Sequence, residues 1–150
     1  MNRITKVILI LIIIACILLS NIEFARADYV MPLIYTTYED EHYTEEEKEI
    51  IAKVVYAEAR GECFEGQVAV AQVVINRYES GRFGNSIKRV AYAKHQFAVG
   101  RKYNKENMRA VEKAIKEMPY PYDMVYFCKG HHFYGEFYCK IGAHCFFVEG

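Results

Sequence analysis

An α+β fold, mainly helical with a small C-terminal β-hairpin region, is what the sequence predicts, and three observations carry it. Two apolar segments of helical character follow one another between residues 44 and 79. A third lies on the N-terminal side of Pro119, which would end it. Beyond Tyr120 the chain turns to β-branched and aromatic residues punctuated by Gly130, Gly135 and Gly142. The 150 residues leave room for one ordinary domain, and neither an internal repeat nor a low-complexity stretch is visible.

The first 27 residues read as a leader. Arg3 and Lys6 form a short basic region, Val7 to Leu19 is uninterruptedly apolar, and Ala25-Arg26-Ala27 has the small-x-small pattern of a cleavage site. A secretory signal over 1–27 is expected, the apolar run being short of the roughly 20 residues that span a bilayer. A retained signal anchor is the alternative, and Ile13-Ile14-Ala15-Cys16 loosely resembles a lipobox. Residues 28–43 read as a linker or arm, and 44–150 as the domain.

Cleavage would remove Arg3, Lys6, Arg26 and Glu23, turning 19 bases and 19 acids into 16 and 18, a net charge of −2. That excludes the basic footprint of a nucleic-acid binder. A monomer outside the cytoplasm is expected, with no stable membrane insertion once the leader is gone. Cys63, Cys128, Cys139 and Cys145 then remain, an even number in an exported chain, so two disulfides are the natural expectation, with three possible pairings. Reduced thiols packed as small apolar groups are the alternative.

In chain order, Thr44-Glu45-Glu46-Glu47 is a capping box, and its three acids suit the positive end of a helix dipole. It predicts a helix over 45–60, stopped by Gly61. A second helix over 65–79 is apolar nearly all round and should form the centre of the domain. Ser80 to Asn85 is turn-forming, and Ser86 would cap a short helix through Ala93. Asn104 would cap a third long helix, with Met108, Val111, Ile115 and Met118 on its inward face. Strands are expected near 124–128 and 143–148.

Glu58 is the residue that breaks this pattern. Ile51, Val54 and Val55 form the inward stripe of the first helix, and helical spacing carries that stripe to Glu58. A carboxylate there must find hydrogen-bond donors or hold its proton. A carboxylic acid that holds its proton near neutrality is what glycoside cleavage requires. A structural glutamate paired with Arg60, Arg77 or backbone amides satisfies the spacing equally well. Asn76, on the apolar second helix, should tie helices together.

Ala57-Glu58-Ala59-Arg60-Gly61-Glu62, followed by Glu65-Gly66-Gln67-Val68-Ala69-Val70-Ala71-Gln72-Val73-Val74-Ile75-Asn76-Arg77, resembles the SleB/CwlJ family of cell wall hydrolases, the spore cortex-lytic enzymes and their relatives. Ser86-Ile87 with Val90, Gln96-Phe97-Ala98, and Ile141-Gly142-Ala143-His144-Cys145-Phe146 match further family segments in order. The resemblance spans roughly residues 48 to 147. Met124 to Phe133 departs from the family in lacking its Asn-Pro, and Ala143 stands where the family has Asn.

The resemblance implies a compact, mainly helical domain similar to lysozymes and lytic transglycosylases, acting on peptidoglycan glycan strands between N-acetylmuramic acid and N-acetylglucosamine. It implies Glu58 as catalytic acid. Attack by water through a second carboxylate is the hydrolytic alternative, for which Glu62, one turn beyond Glu58, is the nearest candidate ahead of Glu65, Asp123 and Glu136; otherwise Glu62 would hydrogen-bond the turn joining the two helices. In this reading Gln96 and Phe97 face substrate, and His144 either lines the cleft or caps the last strand. A single-carboxylate transglycosylase protonates the glycosidic oxygen, then as the conjugate base helps the muramoyl C6 hydroxyl close a 1,6-anhydro ring. No cofactor or metal is expected. Cys128, His131, His132, Cys139, His144 and Cys145 do carry zinc-binding atoms within a short stretch, but not at a standard ligand spacing. A non-catalytic peptidoglycan-binding protein and a secreted zinc-stabilised interaction domain are the rival classes.

Overall fold

The computed structural model describes residues 42–130 and 134–150. The leader expected over 1–27 and nearly all of the arm expected over 28–43 lie outside the described residues, as do His131 and His132. Helix α1 (Glu45–Ala59) begins at the capping box: the Glu47 amide donates to the Thr44 hydroxyl at 3.3 Å, and the Thr44 amide donates to the Glu47 carboxylate at 3.0 Å. Helix α2 (Phe64–Glu79) follows from Cys63, which offers no side-chain cap. Helix α3 (Ile87–Tyr92) is capped by Ser86, whose hydroxyl accepts from the Arg89 amide at 3.2 Å. Helix α4 (Lys105–Glu117) starts at a reciprocal Asn104–Asn107 box and stops where Met118 takes a left-handed conformation, φ 41°, ahead of Pro119.

α2 is the centre of the molecule. Every residue from Gly66 to Arg77 is buried, and α1, α3, α4 and β1 all pack on it. Each fully buried Val or Ile contributes roughly 1.5–3 kcal/mol, so this one helix gathers much of the apolar driving force. Polar residues on so buried a helix must be satisfied by tertiary partners. Gln72 donates to the Tyr120 carbonyl at 2.6 Å and accepts from the Tyr120 amide at 3.1 Å. Asn76 donates to the carbonyls of Pro121 and Met124 at 2.8 and 2.9 Å. Asn76 therefore joins α2 to the connection entering the sheet, not to another helix as the sequence suggested.

The inward face of α4 also differs from expectation. Asn107, Ala110, Val111 and Ala114 are buried, whereas Met108 and Ile115 are partly covered and Met118 is exposed. The small Ala110 and Ala114 lie against the core, and Asn107 donates to the Gln67 side chain at 2.8 Å. The longer apolar residues of α4 pack along its flank.

The C-terminal part holds three strands, β1 (Met124–Cys128), β2 (Glu136–Ile141) and β3 (His144–Val148), in the order β1-β3-β2 with both pairings antiparallel. The sequence reading named β1 and β3 and missed β2. That strand is an edge with Glu136, Phe137, Tyr138 and Lys140 exposed, so it lacks the alternation of inward and outward residues by which strands are recognised. A bulge between Met124 and Tyr126 takes Val125 out of the β1–β3 register. Phe127 and Phe146 face each other across these strands, and Phe146 is wholly buried.

Candidate active site

A cleft of about 310 Å³ opens where α1, the end of α2 and the sheet meet. Ala57 and Glu58 come to it from α1, Arg77 from α2 and Gln96 from the loop after α3. Phe127, Cys128 and Lys129 line it from the end of β1, and His144 from the start of β3.

Glu58 lies at the edge of this cleft and is half-buried. Helical periodicity places it correctly on the inward side of α1, but what lies there is the cleft. It does find a donor: its Oε1 accepts from the Ala98 amide at 2.5 Å. Neither arginine weighed as a partner pairs with it. Arg60 lies over the Tyr56 ring, and Arg77 is committed elsewhere.

The loop carrying Ala98 is itself anchored twice. The Gly100 amide donates to the Lys53 carbonyl of α1 at 2.9 Å, and the Gln96 side-chain oxygen accepts from Arg77 Nη1 at 2.8 Å. Gln96 thus reaches the cleft as an exposed amide with its oxygen held by Arg77. Phe97 stands one step behind the cleft wall. Its ring stacks on Phe127 at 6.1 Å between centroids, with the Arg77 guanidinium 4.6 Å from its centre. Arg77 is the residue that sequence reasoning did not place in the site. The available signal was a guanidinium at the end of an almost wholly apolar helix, which must find partners.

Glu62 lies below the cleft, with its side chain only 10% exposed. Its Oε2 accepts from the Ala143 amide at 2.8 Å, and its Oε1 stands 3.7 Å from His144 Nδ1 and 3.8 Å from Lys129 Nζ. The carboxylate therefore fastens the β2–β3 turn to the α1–α2 turn. Gly142 makes this approach possible: it has φ +58°, and a β-carbon there would stand 2.1 Å from Glu62 Oε2. His144, 2% exposed, is wedged edge-on against Phe127 at 5.2 Å, and its buried Nδ1 has no hydrogen-bond partner among the described residues.

Burial lowers the His144 pKa from its ordinary 6.5; Glu62 pulls it upward, Lys129 downward and Glu58 upward, and burial prevails. The folded chain thus resists a proton that the unfolded chain accepts. His144 therefore costs no stability above pH 6.5, and stability is lost as pH falls below that value. His144→Gln is expected to flatten the acid side of the stability curve relative to the parent. Urea denaturation at a series of pH values tests this, and an unchanged slope refutes it.

Among the described residues Cys63, Cys128, Cys139 and Cys145 are unbridged, so the reduced-thiol alternative fits and not the two disulfides. Cys128 and Cys145 face each other across β1 and β3. Among the described residues no group of three or more His, Cys, Asp or Glu side chains is arranged to hold a metal ion, and no helix is long and apolar enough to cross a membrane.

A family model described as Cell Wall Hydrolase matches residues 61–147, more than half of the chain. This chain belongs to the cell wall hydrolase family. The match begins three residues after Glu58. The spore cortex-lytic enzyme of Bacillus subtilis (strain 168) is 42% identical over 69 residues, covering 44% of this chain and 23% of that protein. That of Oceanobacillus iheyensis is 42% identical over 55 residues, covering 37% of this chain and 20% of that protein. The chain thus spans about a fifth of the length of these relatives.

Solved structures cover more of the chain. The catalytic domain of the germination-specific lytic transglycosylase SleB from Bacillus anthracis superimposes with a TM-score of 0.64 at 28% identity, covering 71% of this chain and 98% of that one. The catalytic domain of the Bacillus cereus SleB protein gives 0.62 at 27% identity, covering 72% and 94%. The resemblance to the SleB/CwlJ family therefore holds in sequence and in fold.

Proposed function

We propose that this family member cleaves peptidoglycan glycan strands between N-acetylmuramic acid and N-acetylglucosamine as a lytic transglycosylase, with Glu58 as the acid. The observation that carries the reading is the position of Glu58: a carboxyl group at the edge of a cleft, fixed by the Ala98 amide, on a domain that matches SleB catalytic domains over nearly their whole length.

Glu58 protonates the glycosidic oxygen as the bond from the muramoyl C1 to that oxygen breaks. The C6 hydroxyl of the same sugar attacks C1, and the proton it sheds passes to the Glu58 carboxylate, which has just given up its own. The Gln96 amide nitrogen remains available to a hydroxyl or acetamido oxygen of the substrate, since its oxygen is taken by Arg77. Phe97 supports this wall from behind. The leader over 1–27 would deliver the enzyme outside the cytoplasm, where the spore cortex-lytic relatives suggest that it acts.

Mass spectrometry of muropeptides released from purified peptidoglycan tests the reading directly. Products with 1,6-anhydro ends are expected, lighter by one water than the reducing ends a hydrolase leaves. A chain that sediments with peptidoglycan and releases no new ends would be a binding protein, and the enzymatic reading would fall.

A further inference from the structure

The geometry points to Lys129 as the residue by which this cleft selects muramoyl units that carry a carboxylate on their C3 arm. This rests on the transglycosylase reading of the same cleft. Arg77 and Lys129 are the arginine and lysine side chains among its described lining residues. Arg77 is 6% exposed and taken up inside the fold by the Val125 carbonyl and the Gln96 side chain. The Lys129 side chain is 61% exposed. Its ammonium is therefore the positive charge that a bound sugar can reach.

Two features keep that ammonium over the cleft. The backbone is fixed on both sides of Lys129: Cys128 pairs with Cys145 across the sheet, and Gly130 takes φ 104° as the chain turns away. The Cys128 thiol donates to the Gly130 carbonyl at 3.3 Å and closes this turn. The head is drawn to Glu62, whose Oε1 stands 3.8 Å from Nζ. That separation is beyond a hydrogen bond, so the N–H groups of the ammonium stay available to a ligand. The other oxygen of Glu62 is bound by the Ala143 amide, which fixes the carboxylate that attracts Lys129.

The substrate supplies the matching group. The muramoyl ring whose C1 is attacked carries a lactyl ether on C3, two ring atoms away. Stripped of peptide, that arm ends in a free carboxylate; in an intact strand it is amide-linked to a stem peptide, which brings carboxylates of its own. A cleft of about 310 Å³ is small for a ligand site, so a ring with C1 beside Glu58 carries its C3 arm to the rim that Lys129 occupies. Glu58 holds its proton when it acts and does not repel an arriving carboxylate, and the charge of Glu62 is offset by Lys129 and the Ala143 amide. Lys129 falls in the segment from Met124 to Phe133 that departs from the family pattern, outside the motifs that carry the resemblance.

Peptide-stripped and intact glycan strands, each assayed before and after their carboxyls are converted to neutral methylamides, test this. Neutralisation is expected to lower kcat/KM by about tenfold, through KM with kcat within about twofold, and the difference should shrink as salt is raised. A loss seen with stripped strands assigns the recognised carboxylate to the lactyl group, and a loss seen with intact strands alone assigns it to the stem peptide. Lys129→Met is expected to cleave charged and neutralised strands alike, still leaving 1,6-anhydro ends, whereas Lys129→Arg retains the preference. Circular dichroism checks the fold of Lys129→Met; should it not fold, Lys129→Gln and the salt dependence of the parent decide. Equal kcat/KM of the parent on charged and neutralised strands of both kinds overturns the assignment, as does a preference that survives in folded Lys129→Met. If the parent releases no anhydro ends from any strand, the transglycosylase reading itself has failed; if it releases them without regard to charge, only the role of Lys129 has.

Discussion

Glu58→Gln is expected to release anhydro-ended muropeptides at least on the order of 10³-fold more slowly than the parent while folding normally. The substitution separates chemistry from structure because the glutamine oxygen can still accept from the Ala98 amide, as Glu58 Oε1 does. The loop anchored by that contact stays in place, and a change in unfolding free energy within about 0.5 kcal/mol is expected for a half-exposed site that loses no partner. The amide cannot donate a proton of carboxylic acidity to the leaving oxygen. Initial rates from muropeptide chromatography, read beside a urea unfolding curve, distinguish the two effects. A folded variant with parental rates would remove Glu58 from the reaction. Glu58→Asp gives the complementary result: the acid survives, but it is one methylene shorter and falls back from both Ala98 and the cleft. Partial activity is expected there.

How far the sequence anticipates this site follows from how local each interaction is. The capping boxes of α1 and α4 lie within three residues of themselves, and the structure has both. The backbone partners of Gln72, Asn76 and Arg77 lie 45 to 48 residues away along the chain, in the segment from Tyr120 to Val125. Nothing near α2 marks that segment, so the need for partners was legible and their identity was not. β2 was missed for a different reason: an exposed edge strand has no buried face to impose a period.

Glu58 shows the limit of periodicity. Spacing reports which side of a helix a residue occupies, and it is silent on whether that side meets packed side chains or a cleft. The family resemblance supplied the missing information, setting Glu58, Gln96 and His144 in one chemical context, and all three do line one cleft. Glu62 and Phe97 stand in its supporting layer instead, the first under the β2–β3 turn and the second against Phe127. Arg77, within the long matching segment of α2, lines the cleft unannounced.

Arg77→Met is expected to lose about 2–4 kcal/mol of stability, and most of the activity with it. Arg77 is 6% exposed, and burial lowers its pKa to about 10, which leaves it charged at neutral pH. Its Nε donates to the Val125 carbonyl at 2.7 Å, and Val125 sits in the bulge where the β1–β3 register is broken. Removing the donor leaves that buried carbonyl unpaired, at about 1–3 kcal/mol, and forfeits the stacking of the guanidinium on Phe83 and Phe97. Met fills much of the volume, so the loss is polar rather than a cavity.

The functional consequence runs through Gln96. Without Nη1 to hold its oxygen, Gln96 loses its tie to α2, the segment from Gln96 to Ala98 is held less firmly, and the Ala98 amide no longer fixes Glu58. Arg77→Lys retains the charge but has one compact head for two acceptors, Val125 and Gln96, and is expected to lose about tenfold in kcat with a smaller loss of stability. Urea midpoints and initial rates on the same preparations test both variants. If Arg77→Met unfolds at the parental midpoint and turns over at the parental rate, the guanidinium is not what couples the buried helix to the loop that holds Glu58.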